Sequence, residues 1–180
     1  MKTIALYGGS FDPPHIAHKA IVEALLELDF IQKVVVMPTF LNPFKASFTA
    51  PAHLRLQWLT KIFSSYEDVE VSSYEVAMGK KVPTIETVKY LLKKYDTIYL
   101  VIGADNLNSL HKWYKYDELK ELVIFIVATR DKIAIPKEFI TLKIDEDISS
   151  TELRNNFKSA KVPKEVREEI TQYYKEHNAR

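Results

Sequence analysis

Three observations predict an α/β protein, a doubly wound Rossmann-like parallel sheet with helices on both faces. The first is a series of short β-branched and aromatic runs: "TIALY" from Thr3, "KVVVMP" from Lys33, "TIYLVIG" from Thr97 and "LVIFIVAT" from Leu122. Unbroken apolar character of this kind suits strands covered on both sides. The second is that segments of helical period lie between the runs. The third is that two glycine turns, Gly8–Gly9 and Gly103, sit at the ends of the first and fourth major runs. No repeat, low-complexity tract or Gly/Ser linker divides the chain, so residues 1–180 read as one domain.

Taken in order, the first strand leads into "HKAIVEALLELDF", which places Ile21, Leu25 and Leu28 on one helix face. The second strand, from Lys33, precedes "AHLRLQWLTKIF", whose Leu56, Leu59 and Phe63 form the next apolar face. In that helix His53 and Arg55 are expected on the solvated side and Trp58 in the core. Weaker strands are expected in "VEVSSYE" near Val71 and "ITLKID" near Leu142. "TIETVKYLLKKY" gives a third amphipathic helix through Val88, Leu91 and Leu92. The C-terminal portion, about residues 149–177, reads as helical, and Pro163 is a favoured opening residue for its last helix. That helix would cover the sheet or meet a partner.

Composition narrows the class. With 180 residues, 47% hydrophobic and 27% charged, the chain can bury a sizeable core. A formal charge of +1 supplies no broad basic field, so a nucleic-acid polymer is not an expected partner. The chain has no cysteine, which removes disulfides and thiolate metal sites and suits a reducing cytoplasm. The apolar start of "MKTIALYGG" is too short for a signal peptide. Runs such as "LVIFIVA" are too short to cross a bilayer, so no membrane association is expected. The expected setting is cytoplasmic. Nothing fixes the oligomeric state, and a homo-oligomer stays open.

In an open parallel sheet, ligands bind beyond the carboxyl ends of the strands where the strand order reverses. In the usual Rossmann order the first and fourth strands are neighbours there, so both glycine turns would open into one crevice. The first turn, "GGSFDPPHIAH", carries Asp12 as an expected capping acceptor before Pro13 and Pro14. His15 and His18 are three apart and project from one side of a first helical turn. A solvated or core-satisfied pair is one reading. Zinc is another, but with no HExxH and no cysteine it lacks further ligands. The glycine turn just upstream favours phosphate, because amides at a helix start attract anions.

A second signal is "ISSTELRNNF", from Ile148. Ser149 with Glu152 has capping-box spacing. Ser149, Ser150 and Thr151 also place hydroxyls at a positive helix end, with Arg154 within a turn, and such a cluster would hold a triphosphate. Both uses are compatible. A third signal, "GADNLNSLHKWYK", adds Asp105 and Trp113 at the same sheet edge. The GxGxxG fingerprint and the GxxxxGK[ST] loop are both absent, which weighs against NAD-dependent hydride transfer and P-loop hydrolysis.

"GGSFDPPHIAH", "GADNLNSLHKW" and "ISSTELR" together resemble the nucleotidyltransferase α/β-phosphodiesterase superfamily. With "NPFK" at 42–45 and Trp113, the chain more closely resembles the nicotinate-nucleotide adenylyltransferases of bacterial NAD biosynthesis. The resemblance runs from Lys2 to about Phe157. It implies transfer of AMP from ATP to nicotinic acid mononucleotide, with Mg2+ accompanying ATP. It further implies that His15, His18 and Arg154 act in catalysis. ATP would be bound by Gly8, Gly9, Ser10, Phe11, His18, Gly103, Asp105, Ile148, Ser149, Ser150, Thr151 and Arg154. Lys45, Thr84 and Trp113 would face the acceptor. No metal-ligating side chain is implied.

Five positions depart from the family pattern: Ala17 replaces the glycine of HxGH, Ser10 a threonine, Phe44 a histidine, and Val82-Pro83 a Ser-Tyr pair before Thr84. Three rivals stay open. Pantetheine-phosphate adenylyltransferase shares the first motif, though Trp113 weighs against it. Nicotinamide mononucleotide is a second acceptor. The third is a nucleotide-binding sensor without turnover, against which His15, His18 and Arg154 all count by being present.

Overall fold

Alternate residues of the first strand feed two separate cores, and that alternation organises the molecule. The computed structural model describes residues 1–41, 50–145, 150–155 and 157–178, without the side chains of Thr151 and Asn178. Six strands, β1 (Thr3–Gly9), β2 (Lys33–Pro38), β3 (Val69–Val71), β4 (Thr97–Gly103), β5 (Ile124–Ala128) and β6 (Ile140–Leu142), pair in parallel in the order β3-β2-β1-β4-β5-β6. The helices are α1 (Ile16–Leu26), α2 (Ala52–Phe63), α3 (Tyr74–Met78), α4 (Thr84–Leu91), α5 (Tyr116–Leu122), α6 (Ser150–Asn155) and α7 (Arg167–Asn178). Ala5 and Tyr7 of β1 join a core with Val22, Leu25, Trp58 and Tyr174 from α1, α2 and α7. Ile4 and Leu6 face the other way, onto Ile85, Val88 and Leu119 of α4 and α5.

This is the predicted doubly wound architecture. Strand β1 pairs with β2 on one side and β4 on the other, so the order reverses between β1 and β4. The end of β1 therefore lies beside the end of β4, with Gly8 opposite Met37 and Gly103 opposite Ala128 in the flanking pairs.

Three expectations are corrected. "VEVSSYE" is strand only to Val71: Ser72 N–H makes the last ladder bond, to Val36 O (2.8 Å), and the chain then turns into α3. Gly79, at φ 65°, ends that short helix in the left-handed conformation that favours glycine. Pro163 precedes a 3₁₀ turn over Lys164–Val166, and α7 itself begins at Arg167.

The third correction concerns Arg55, expected in solvent but fully buried. It sits on the apolar face of α2, in register with Trp58, Leu59 and Ile62. Its guanidinium donates to four carbonyls: Nε to Ala50 (3.0 Å), Nη1 to Ser10 (2.8 Å) and Thr39 (2.7 Å), and Nη2 to Phe40 (3.0 Å). Burial pulls its pKa below the ordinary arginine value, and the nearby Asp12 carboxylate opposes that fall. One side chain thus holds together the loops that follow β1 and β2. Arg55→Met leaves those carbonyls without their donor, at a cost of about 3–5 kcal/mol. Thermal unfolding should show a midpoint lowered by roughly 10 °C; an unchanged midpoint would remove this clamp from the account.

Candidate active site

The turn after β1 is tight for a local reason. A side chain at Gly9 would press on the Phe11 ring at 3.3 Å, and Phe11 itself adopts a left-handed φ of 50°. That unusual backbone turns the Phe11 ring inward, edge-on to Tyr7 (5.4 Å) and His18 (4.8 Å). His15 caps α1 in an extended conformation, and the two imidazoles stack at 3.6 Å with 17° between their planes. The His15 backbone N–H donates to His18 Nδ1 (3.0 Å). A neutral His18 therefore carries its proton on Nε2, which is left to donate outward. His15 Nδ1 is buried without a hydrogen-bond partner among the described residues.

Asp12, expected to cap α1, has a different task. Its carboxylate is almost wholly buried and accepts from the Ala50 N–H (3.1 Å) and from Tyr174 Oη of α7. The C-terminal segment docks on the same turn. Ser150 Oγ donates to Pro13 O (3.0 Å), and Arg154 Nη1 donates to Asp12 O and stands 4.0 Å from the Asp12 carboxylate. The "GGSFDPPHIAH" and "STELR" segments, more than 130 residues apart, thus meet at one sheet rim. Lys45, Phe44, Ile148 and Ser149 lie outside the described residues, as does the side chain of Thr151, whose backbone belongs to α6.

On the other side of the turn a cavity of about 430 Å³ opens between β1 and β4. Gly8, Gly9, Ser10, Gly103, Thr84 and Trp113 all line it, together with Glu75, Thr87 and Lys112. That volume falls within the usual range of small-molecule sites. Helix α4 points its start into this space. Its cap residue Pro83 offers no side-chain acceptor for the first amides of the helix. Trp113 is half-buried, and its Nε1 finds no partner among the described residues. Tyr7 links the cavity to the imidazole pair, lining the one and lying 6.3 Å from the His18 ring. Asp105 is exposed and paired with Arg130 (3.2 Å).

Four residues of this region escape a reading of the sequence: Arg55, Glu75, Arg130 and Tyr174. For Arg55 a signal existed, its i, i+3, i+4 spacing from Trp58 and Leu59. Arg130 stands two residues past the end of β5, as Gly103 ends β4, so strand ends again mark the rim.

Residues 6–156 match the cytidylyltransferase-like family model. A protein of Sulfurimonas denitrificans named "probable nicotinate-nucleotide adenylyltransferase" is 59% identical over 180 residues, covering all of this chain and 99% of that protein. A relative of the same name from Nitratiruptor is 50% identical, over 96% of this chain and 98% of its own length. The chain belongs to the nicotinate-nucleotide adenylyltransferase family. Its fold is also that of solved members: the Plasmodium falciparum nicotinic acid mononucleotide adenylyltransferase complexed with NaAD superposes with a TM-score of 0.77 over 99% of this chain and 97% of that one, at 23% identity.

In this adenylyltransferase the imidazole pair is held neutral. Burial is the main cause at His15, with the positive Arg130 adding to it, and the pKa falls to about 3. His18 is likewise pushed well below its ordinary value, by burial first, then by His15 and Arg130. The unfolded chain takes up a proton as pH drops below the usual 6.5, whereas folded His15 resists it. This contribution to stability is therefore intact above that pH and lost as pH falls towards about 3. For His15 the loss amounts to about 2 kcal/mol by pH 5. Denaturant midpoints compared at about pH 7.5 and pH 5 should show His15→Gln losing less stability than the wild type. Identical losses would mean that His15 ionises freely in the folded state.

Proposed function

We propose that the protein joins the adenylyl group of ATP to nicotinic acid mononucleotide, releasing pyrophosphate and forming deamido-NAD. The observation that carries this reading is the meeting of an imidazole pair, a serine and an arginine at one rim, beside a cavity walled by Trp113 and opened onto by the start of α4. The relatives' names supply the acceptor. A phosphate oxygen of the acceptor attacks the α-phosphorus of ATP, a new P–O bond forms, and the bond to the β-phosphate oxygen breaks. No protein nucleophile is required, so catalysis consists of positioning and charge stabilisation.

His18 suits the α-phosphate, because its Nε2–H donates without carrying a charge that the site would have to desolvate. The backbone from Gly8 to Phe11, with His15, would receive the remaining phosphate oxygens. Ser150 and Arg154 would hold the departing β- and γ-phosphates, joined on the resemblance by Ile148, Ser149 and Thr151. Gly103 and Asp105 would face the adenosine. Trp113 offers a flat apolar face to the pyridine. The first amides of α4, beside Thr84, suit a ring carboxylate. Lys45 would reach the phosphates, on the resemblance alone.

The donors gathered here, amides, neutral imidazoles and a guanidinium, fit phosphate oxygens rather than a cation. Among the described residues no group of three carboxylate or imidazole side chains forms a cation site. Mg2+ accompanying ATP, as the resemblance implies, would supply positive charge to offset that of the departing pyrophosphate. The single-domain and cytoplasmic expectations belong to this reading as well.

His18→Ala should reduce turnover by roughly 100- to 1,000-fold while ATP affinity changes much less. A pyrophosphate-release assay with nicotinic acid mononucleotide, nicotinamide mononucleotide and phosphopantetheine tests both the residue and the acceptor. Normal turnover in the variant would exclude His18 from the chemistry, and ATP binding without release under any acceptor would favour the sensor.

A further inference from the structure

The wall of the cavity holds a carboxyl group that the mechanism above leaves idle. Glu75 of α3 lines the cavity and is only 6% exposed. Its Oε2 accepts a hydrogen bond from Thr87 Oγ1 at 2.8 Å. Thr87, itself 1% exposed, lies three residues beyond Thr84 on α4, so the carboxyl is moored to the helix whose start opens onto the acceptor space. A buried carboxyl beside a bound ring that itself carries either a carboxylate or a carboxamide has consequences for which ring is held.

We propose that Glu75 is a specificity-determining residue whose charge state selects between an anionic and a neutral pyridine acceptor. The inference rests on the adenylyl-transfer reading. With its proton retained, the carboxyl tolerates a ring carboxylate nearby and can donate to it. Once the proton has left to solvent, the same oxygens repel a carboxylate and accept from a carboxamide N–H instead.

The surroundings place this transition in a useful range. Burial raises the Glu75 pKa to about 7, and the Thr87 hydrogen bond works against that rise. Among the described residues, Lys112 is the other charged side chain on the wall, and it is exposed; Tyr7 and Tyr114 are the remaining titratable ones. On α3 there is Tyr74, and α4 carries Glu86, Lys89 and Tyr90 on its exposed side. Behind, β2 is apolar beyond Lys33, which pairs with Glu70. Helix α2 brings His53, which is exposed, Arg55, which is committed to four carbonyls, and Lys61, which pairs with Glu169.

The test measures kcat/KM for nicotinic acid mononucleotide and nicotinamide mononucleotide, at one ATP concentration, from about pH 6 to pH 8.5. Both acceptors share a ribose phosphate, so titration of phosphates or histidines cancels in their ratio. The acid-to-amide ratio should fall roughly tenfold across this range, as a like charge appears in the pocket. Glu75→Gln should hold the ratio constant, and Thr87→Val, which removes the opposing hydrogen bond, should move the midpoint to higher pH. A constant ratio in the wild type, or an unaltered profile in Glu75→Gln, overturns the proposal. Absence of turnover with both acceptors defeats the adenylyl-transfer reading itself, and the proposal with it.

Discussion

The buried carboxylate of Asp12 is the interaction on which the site's geometry depends. An isolated carboxylate is costly to bury, so every group that approaches it is held in place by that cost. Ala50 N–H comes from the segment before α2, Tyr174 Oη from α7, and Arg154 from α6. These are parts of the chain that share no strand with β1. Asp12 draws them to the turn that carries His15 and His18. Arg55 does the complementary work from below, gathering carbonyls where Asp12 gathers donors. Together they fix a loop region that strand pairing alone leaves unconstrained.

That division explains what the sequence made legible. Strand runs, helix faces and glycine turns are local patterns, and they suffice for an α/β sheet; the usual Rossmann order then puts both glycine turns at the reversal between β1 and β4, where the structure has them. Trp58 reads as core because its chemistry allows little else. Arg55 and Asp12 escape such patterns for the opposite reason. A charged residue at a helix start reads as solvated or capping unless its partners are known, and these partners lie in other segments of the chain. Glu75 was hidden in the same way, because its burial depends on α3 packing against α4 and β2. The one carboxyl of that stretch looks no different in sequence from its exposed neighbours.

The imidazole pair shows how packing decides the chemistry available. Stacking places the rings too close together for both to carry charge comfortably, and burial with Arg130 nearby reinforces the neutral state. The backbone N–H of His15 then determines which His18 nitrogen keeps its proton. On the adenylyl-transfer reading proposed above, a polyphosphate would meet directed donors here, with Arg130 and Arg154 adding positive charge nearby. The negative charge of a bound nucleotide would favour proton uptake by the same rings, so the pair and its ligand would polarise each other.

The bond between Tyr174 and Asp12 also couples the two imidazoles to a helix that lies outside the sheet. The hydroxyl comes from α7, 162 residues along the chain from the turn that it anchors. Local opening of α7 would release Asp12 and loosen the turn that carries His15 and His18, so fraying of one helix would reach the imidazole pair without breaking a single strand pairing.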